Sequence, residues 1–512
     1  MKCLVFTPSS FCDPHFGMQL EEAESLYQAG NDVFITFCDG LCRYCANNPY
    51  GDPLLCKFCR FCTKKWLSKN LSPGITIIPL KRKKLPDHTW SYLSTQDIKK
   101  IIYKNVHIGY GVMSSYTSAT RDPDPSFQQK ATKKFFDFAL NHAALLTDQY
   151  SALIEQIQPE IVSIFNGRFI EHKPLYDLAK KNKIVLHVNE CIGGTRSDTP
   201  VERIIYYNHL PHSVPYNTEL LHKVWAMPNE SEEEKQRKGR DFFERRRNGI
   251  PAGDRVYIDK QQKGLLPTGW DNSKRNIVIF NSSEDEFSAI GKDFDDYALF
   301  PTQYEGIETI LSKFTSPEYH FYLRIHPNLS KIKFNYHMDL YKLPQKYKNI
   351  TVIAATDPCS TYDLLDAAEK VIVFGSTMGA ESVYWGKPTI LLAGAFYYLL
   401  DICYLPKSIS EMYDFIEQHL QPTSKECAIK YGYYLLNRNL LTIPAKYVDS
   451  KLYKLKFRNW EFYVSGYAKI FGSRWITKIL RILLVMLASK RKYYNLPQPV
   501  FFEHTFKKSN KK

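Results

Sequence analysis

The chain has 512 residues, 44% hydrophobic and 14% aromatic, enough for two or three domains with sizeable cores and too apolar for a disordered polymer. Its formal net charge of +15 is concentrated, because residues 431 to 512 hold 17 Lys and Arg against 3 Asp and Glu, leaving 51 against 50 in the first 430. A neutral body argues against nucleic acid as a partner, and no apolar run reaches the ~18 residues of a membrane span.

Met1-Lys-Cys-Leu-Val-Phe-Thr-Pro meets proline and polar residues at once and lacks the apolar stretch of a signal peptide, so a cytoplasmic location is expected. Cys3 to Phe6 reads as a first strand, followed by His15 in the next loop, a helix over 19 to 29 and a strand over 32 to 38. Residues 132 to 158 are amphipathic at helical spacing. A strand over 161 to 165, a helix over 173 to 183 and a strand over 184 to 188 complete a βα series. Residues 1 to 228 are therefore expected to form a doubly wound, Rossmann-like domain. The strand ends expose Asn166, Arg168, Glu171, His187 and Glu190, where a second substrate would be met. Asp122-Pro-Asp124 resembles a metal-binding pair but sits in a proline loop, and reads as a turn.

Within that domain, Cys38-Asp-Gly-Leu-Cys42-Arg-Tyr-Cys45 is followed ten residues later by Cys56-Lys-Phe-Cys59-Arg-Phe-Cys62. Cys42, Cys45, Cys56 and Cys59 form two Cys-x-x-Cys knuckles whose spacing suits a structural zinc, with iron–sulfur ligation and reduced thiols as alternatives.

Residues 229 to 275 open with a dense charge run and continue with loop-forming Gly and Pro, as a surface helix and interdomain connection would. A second βα series occupies 276 to 430, with strands expected near 276 to 280, 320 to 325, 349 to 353, 371 to 374 and 388 to 392. Val371 to Leu392 reads strand, small-residue turn, helix, strand. There Gly375 lets a ligand approach the backbone, Ser376 and Thr377 offer hydroxyls at a helix start, and Glu381 stands one turn further on, placed to accept from sugar hydroxyls. Arg324 and His326 end an upstream strand just before Pro327, and in an open α/β sheet such ends face the ligand. Asp285, Glu286 and His15 are the loop groups suited to take a proton. The basic tail over 431 to 512 places Trp460, Tyr463, Tyr467 and Phe471 at helical spacing and then an apolar run flanked by Lys and Arg, which suits a helix lying on an anionic membrane face.

Several motifs in the second half resemble the capsule polysaccharide biosynthesis family and related bacterial glycosyltransferases of the GT-B type. They are Phe280-Asn-Ser-Ser-Glu-Asp-Glu-Phe287, Arg324-Ile-His-Pro327, Ser360-Thr-Tyr-Asp-Leu-Leu365, Phe374-Gly-Ser-Thr-Met-Gly-Ala-Glu381 and Trp385-Gly-Lys-Pro388. The resemblance covers about 276 to 405 and the N-terminal half loosely. It implies two Rossmann-like domains facing a cleft, with a helical basic tail, and metal-independent transfer of a sugar from a nucleotide sugar, CMP-linked in the Kdo transferases and polysialyltransferases of this build. The acceptor would be a growing surface polysaccharide or lipid-linked glycan at the inner membrane face. His326, Ser376 and Thr377 would hold the donor phosphate. A nucleotide-sugar epimerase, a glycerol-phosphate transferase and a non-catalytic assembly factor fit the same motifs.

Overall fold

The computed structural model describes residues 1–8, 15–42, 51–192, 202–253, 256–444, 452–457, 460–465 and 506–508, with a few isolated positions besides. The chain divides into two compact units, one of residues 1–211 with 442–512 and one of 212–441.

In the first unit, β1 (Lys2–Thr7), β2 (Asp32–Asp39), β3 (Thr76–Lys81), β4 (Ile161–Phe165), β5 (Val185–Ile192) and β6 (Glu202–Tyr207) form one sheet. Strand order is β6-β5-β4-β1-β2-β3, with β1 to β5 parallel and β6 antiparallel at one side. β1 and β4 are continuous apolar runs because both faces are covered, as parallel strands require. The second unit repeats the arrangement. β7 (Arg275–Phe280), β8 (Tyr319–Arg324), β9 (Ile350–Ile353), β10 (Lys370–Val373) and β11 (Thr389–Leu391) lie in the order β11-β10-β7-β8-β9, all parallel. Counted within each unit, both parallel sets run 3-2-1-4-5, the doubly wound order, with the strand order reversing beside β1 in one and β7 in the other. Strand β12 (Ile443–Pro444) returns to pair with β6 in the first unit.

Two expectations are corrected. The helix Glu232–Arg247 is part of the second unit and buries Lys235, Gly239, Phe242, Phe243 and Arg246 on one stripe. Its backbone packs so closely on the helix Lys425–Leu436 that a Cβ on Gly239 would collide with the Ile429 carbonyl. The charged run therefore forms the expected helix, but with one stripe turned to the core rather than the whole of it on the surface. Trp460 and Tyr463 lie in β14 (Trp460–Ser465), which pairs antiparallel with β13 (Leu452–Phe457) and β15 (Phe506–Lys508), so that part of the tail is sheet and not helix. Tyr467 and Phe471 fall outside the described residues. No helix among the described residues is long and apolar enough to cross a membrane.

Candidate functional site

In the second unit, β7 lies between β8 and β10, and Phe280 is level with both Arg324 and Val373. The loops leaving all three strands therefore start at the same end of the sheet. Asn281, buried just past β7, accepts the His326 backbone N–H at 2.7 Å and ties two of these loops together. His326 Nδ1 accepts from the Asn328 N–H at 3.2 Å, so the neutral ring carries its proton on Nε2. The imidazole edge meets Tyr257 at 5.4 Å. Asn328 donates in turn to Glu286 at 2.7 Å, and Asp285 accepts from Ser283 at 2.8 Å and from Tyr336 at 3.4 Å. Both acidic residues expected after β7 thus stand beside the His326 loop, Asp285 half-buried and Glu286 exposed.

Across β7, the β10 loop turns through Gly375 at φ +76°, where a Cβ would stand 2.7 Å from the Gly394 carbonyl. Glycine is needed there on both counts. Ser376 Oγ accepts from the Met378 N–H at 3.3 Å, and the buried Tyr397 hydroxyl donates to the Ser376 carbonyl. Gly379 lets Tyr397 reach under the helix Met378–Tyr384, since any side chain there would strike its hydroxyl. Thr377, half-buried, occupies the helix cap without using its hydroxyl to cap. Two strand spacings separate the β8 and β10 ends, about 10 Å, the width of a diphosphate or nucleotide phosphate with its flanking atoms.

Two expected donor-site residues face elsewhere. Arg324 is 3% exposed and donates through Nη1 to the Ala354 carbonyl at 2.9 Å and through Nη2 to that of Asp357 at 3.1 Å, fastening the loop after β9. Glu381 is 1% exposed and holds Arg246 at 3.0 Å and the Tyr362 hydroxyl at 2.5 Å, so both oxygens are engaged inside the unit rather than offered to a sugar.

The first unit builds a second polar cluster at its own switch point. His15 opens the helix His15–Gln28 and stacks on Phe165, the last residue of β4, at 3.5 Å. Although part of the residue reaches the surface, Nδ1 is buried with no hydrogen-bond partner, and desolvation pushes the imidazole down to about 3. Asn166 donates to Glu190 Oε2 at 2.6 Å, while Oε1 accepts the Cys191 N–H at 3.0 Å. Burial raises Glu190 above the usual carboxylate range despite these bonds and the nearby charge of Arg168. Ligand atoms of His15, Glu190 and Cys191 lie within 4.8 Å of one another. Four residues expected in the site, His15, Asn166, Arg168 and Glu190, are thus brought together from the segments after β1 and β4 and from within β5. His187 is not among them, because within β5 it contacts Glu22 at 2.7 Å, which also holds Arg203 at 2.5 Å.

Cys42, Cys45, Cys56 and Cys59 line a single cavity together with Cys38, Pro8, Asn48, Leu55 and Arg60. Among the described residues, three ligand atoms come within 4.8 Å only at His15, Glu190 and Cys191, so the sulfurs share a cavity without closing to bonding distance of one centre. Asp122 forms the expected turn and is buried against the Tyr116 hydroxyl at 3.0 Å.

Sequence reasoning passed over Asn281, Asn328 and Tyr397. Asn281 has a signal, a polar side chain directly after an apolar strand at a motif already noted; Tyr397 has none, since its contact with Ser376 spans 21 residues.

No protein-family model matches the chain, and no curated protein matches it. Solved structures similar to it include two from Thermosulfurimonas dismutans. The KpsC beta Kdo 2,4 transferase is 15% identical, covers 53% of this chain and 78% of its own, and has a TM-score of 0.33. The KpsC beta Kdo 2,7 transferase is 14% identical, covers 66% and 89%, and has the same TM-score of 0.33. The UDP-GlcNAc 2-epimerase from Neisseria meningitidis is 12% identical, covers 86% and 100%, and has a TM-score of 0.25. At these scores the likenesses carry no argument for function, which rests on the residues themselves.

Proposed function

We propose that the chain is a glycosyltransferase whose second unit holds the phosphate of a nucleotide sugar, CMP-linked or UDP-linked, across the ends of β8, β7 and β10. The observation that carries this reading is the 2.7 Å clasp between Asn281 and the His326 amide at the switch point, which fixes a histidine at the same sheet end as the Gly375-Ser376-Thr377 turn. As the anomeric carbon–oxygen bond breaks, negative charge gathers on the departing phosphate. The Nε2–H of His326 and the hydroxyls of Ser376 and Thr377 would donate to it, and such a donor contributes about 3 kcal/mol when preorganised. In the first unit, burial lifts Glu190 above the usual carboxylate range, and it would serve as the base for an acceptor hydroxyl bound there. His15, neutral and close to Glu190, would help hold that acceptor. Asn166 and Arg168 complete the surroundings of an acceptor sugar. No residue of this scheme requires a catalytic metal. The basic tail supports a position against an anionic membrane face, where a lipid-linked glycan acceptor would be found.

Calorimetric titration of CMP, UDP and GDP into the wild type and His326→Ala tests the donor site. One nucleotide is expected to bind, and the variant to lose about 10- to 100-fold in affinity, the value of a hydrogen bond to a charged group. If none of the three binds, the proposal fails. With the matching nucleotide sugar and a glycan acceptor, transferred sugar is the expected product; an epimerised nucleotide sugar or transferred glycerol phosphate overturns the transferase reading.

A further inference from the structure

We infer that the cavity between β2 and the helix Pro53–Asn70 is a binding site for one thiophilic divalent cation of the zinc class, held by four sulfurs drawn from Cys38, Cys42, Cys45, Cys56 and Cys59. Two independent observations converge. The sequence spaces four of these cysteines as paired knuckles, and the fold brings all five side chains to the wall of one cavity of about 20 Å³. That volume matches a single water-sized occupant.

The local chemistry fits a thiolate site. Cys56 and Cys59 sit three residues apart at the start of the helix Pro53–Asn70, on the turn that faces the cavity. The helix start is fixed by Asp52, whose carboxylate accepts the N–H groups of Leu54 and Leu55 at 2.9 Å each, and by Asn48, which exchanges hydrogen bonds with the Asp52 backbone at 2.9 and 3.0 Å. Opposite, Cys38 Sγ accepts the Cys42 N–H at 3.3 Å, the kind of bond that orients a ligating sulfur. Arg60, on the same wall, is held at 2.8 Å by Asp39 at the end of β2, and its charge offsets thiolates gathered in a small volume. Lys64 binds the other Asp39 oxygen at 2.8 Å. Five sulfurs for four tetrahedral positions allow a closed, ligand-saturated centre, which marks a structural rather than a catalytic ion. Cys62 takes no part in the cavity, because it packs with Leu55, Phe58, Trp66 and Leu484 in an apolar cluster. Binding requires the thiols to give up their protons and the sulfurs to draw together, so the ion couples the loop after β2 to the helix and to Pro8 at the end of β1.

The test uses the full chain purified without chelator. Elemental analysis is expected to find one zinc per chain, lost on treatment with a mercurial thiol reagent and, in Cys56→Ser and Cys59→Ser, absent from the start. Cys427→Ser, outside the cavity, should keep it. Should the cavity variants fail to fold, exchange of wild-type protein into cobalt decides instead, since a tetrahedral thiolate centre gives sulfur-to-cobalt charge-transfer bands and intense visible bands. Cys38→Ser should weaken or shift those bands. Metal far below one equivalent together with five thiols that all react freely in the native protein overturns the inference, as does a brown protein with iron and acid-labile sulfide. The outcome is independent of nucleotide binding in the second unit.

Discussion

The two units share one strand order and set different groups beside its switch point. At the second unit's switch point the polar groups are a backbone turn, hydroxyls and one histidine fixed through its own amide, with acidic residues engaged by neighbours. At the first unit's, the groups are half-buried and titratable, a histidine pushed down to about 3 and a glutamate raised by the same desolvation. A donor cradle needs dipoles already aimed where charge develops, whereas proton transfer needs groups whose two charge states are close in free energy. The same topology can carry either set, and what differs is the side chains that its loops present.

The sharpest way to break this division is Glu190→Gln. Turnover should fall by about 10²- to 10⁴-fold while nucleotide affinity, measured by calorimetry, stays unchanged; a matching loss of affinity would merge the two roles. Next comes the buried pair in the second unit. Arg246→Met leaves Glu381 buried beside Tyr362 alone and should cost about 3 to 5 kcal/mol of stability by urea unfolding, whereas a loss below 1 kcal/mol would mean that Glu381 is free to serve the ligand after all. His326→Ala should cost about 1.5 to 3 kcal/mol in nucleotide binding with little change in the unfolding midpoint. The smallest expected effect is in pH. His172, 1% exposed among Phe6, Phe165 and Phe169, is pushed down to about 3, so the folded chain binds fewer protons than the unfolded one between 3 and 6.5. Its neutral form is fully accommodated above pH 6.5, and stability is lost as pH falls from there. Going from pH 7 to 5 should cost about 2 kcal/mol through His172 and about as much through His15, which is pushed down to about 3 as well, so His172→Phe should roughly halve the slope there, though Glu190 pulls in the opposite direction.

Central strands were legible because they are apolar and stop at Pro, Gly or Asn, as at Phe165-Asn166 and Phe280-Asn281, whereas the more exposed Thr76–Lys81 and Glu202–Tyr207 went unread and β5 runs on to Ile192. His15 and Glu190 were each singled out by position, but their proximity was not read from the sequence. What spacing could not convey is the direction of a long side chain. Arg324 and Glu381 occupy strand-end and helix positions suited to a ligand, yet each meets partners from loops and helices distant in sequence. In Glu232–Arg247 the charged residues outnumber a stripe of five buried ones. The tail misled for another reason: Trp460, Tyr463 and Tyr467 satisfy a helical period, while Trp460, Phe462 and Val464 equally satisfy a period of two, and pairing with Leu452–Phe457 selects the latter.

Strand β12 has a bearing on how the molecule is made. The first unit's sheet receives its last strand from Ile443–Pro444, although its other strands end by Tyr207. On the ribosome, the nascent N-terminal sheet must wait with β6 as a bare edge while the whole of 212–441 is synthesised, on the order of tens of seconds at ordinary elongation rates. The second unit, contiguous in the chain, can fold during that interval, and truncation just before residue 442 should leave it intact while exposing an adhesive border on the other.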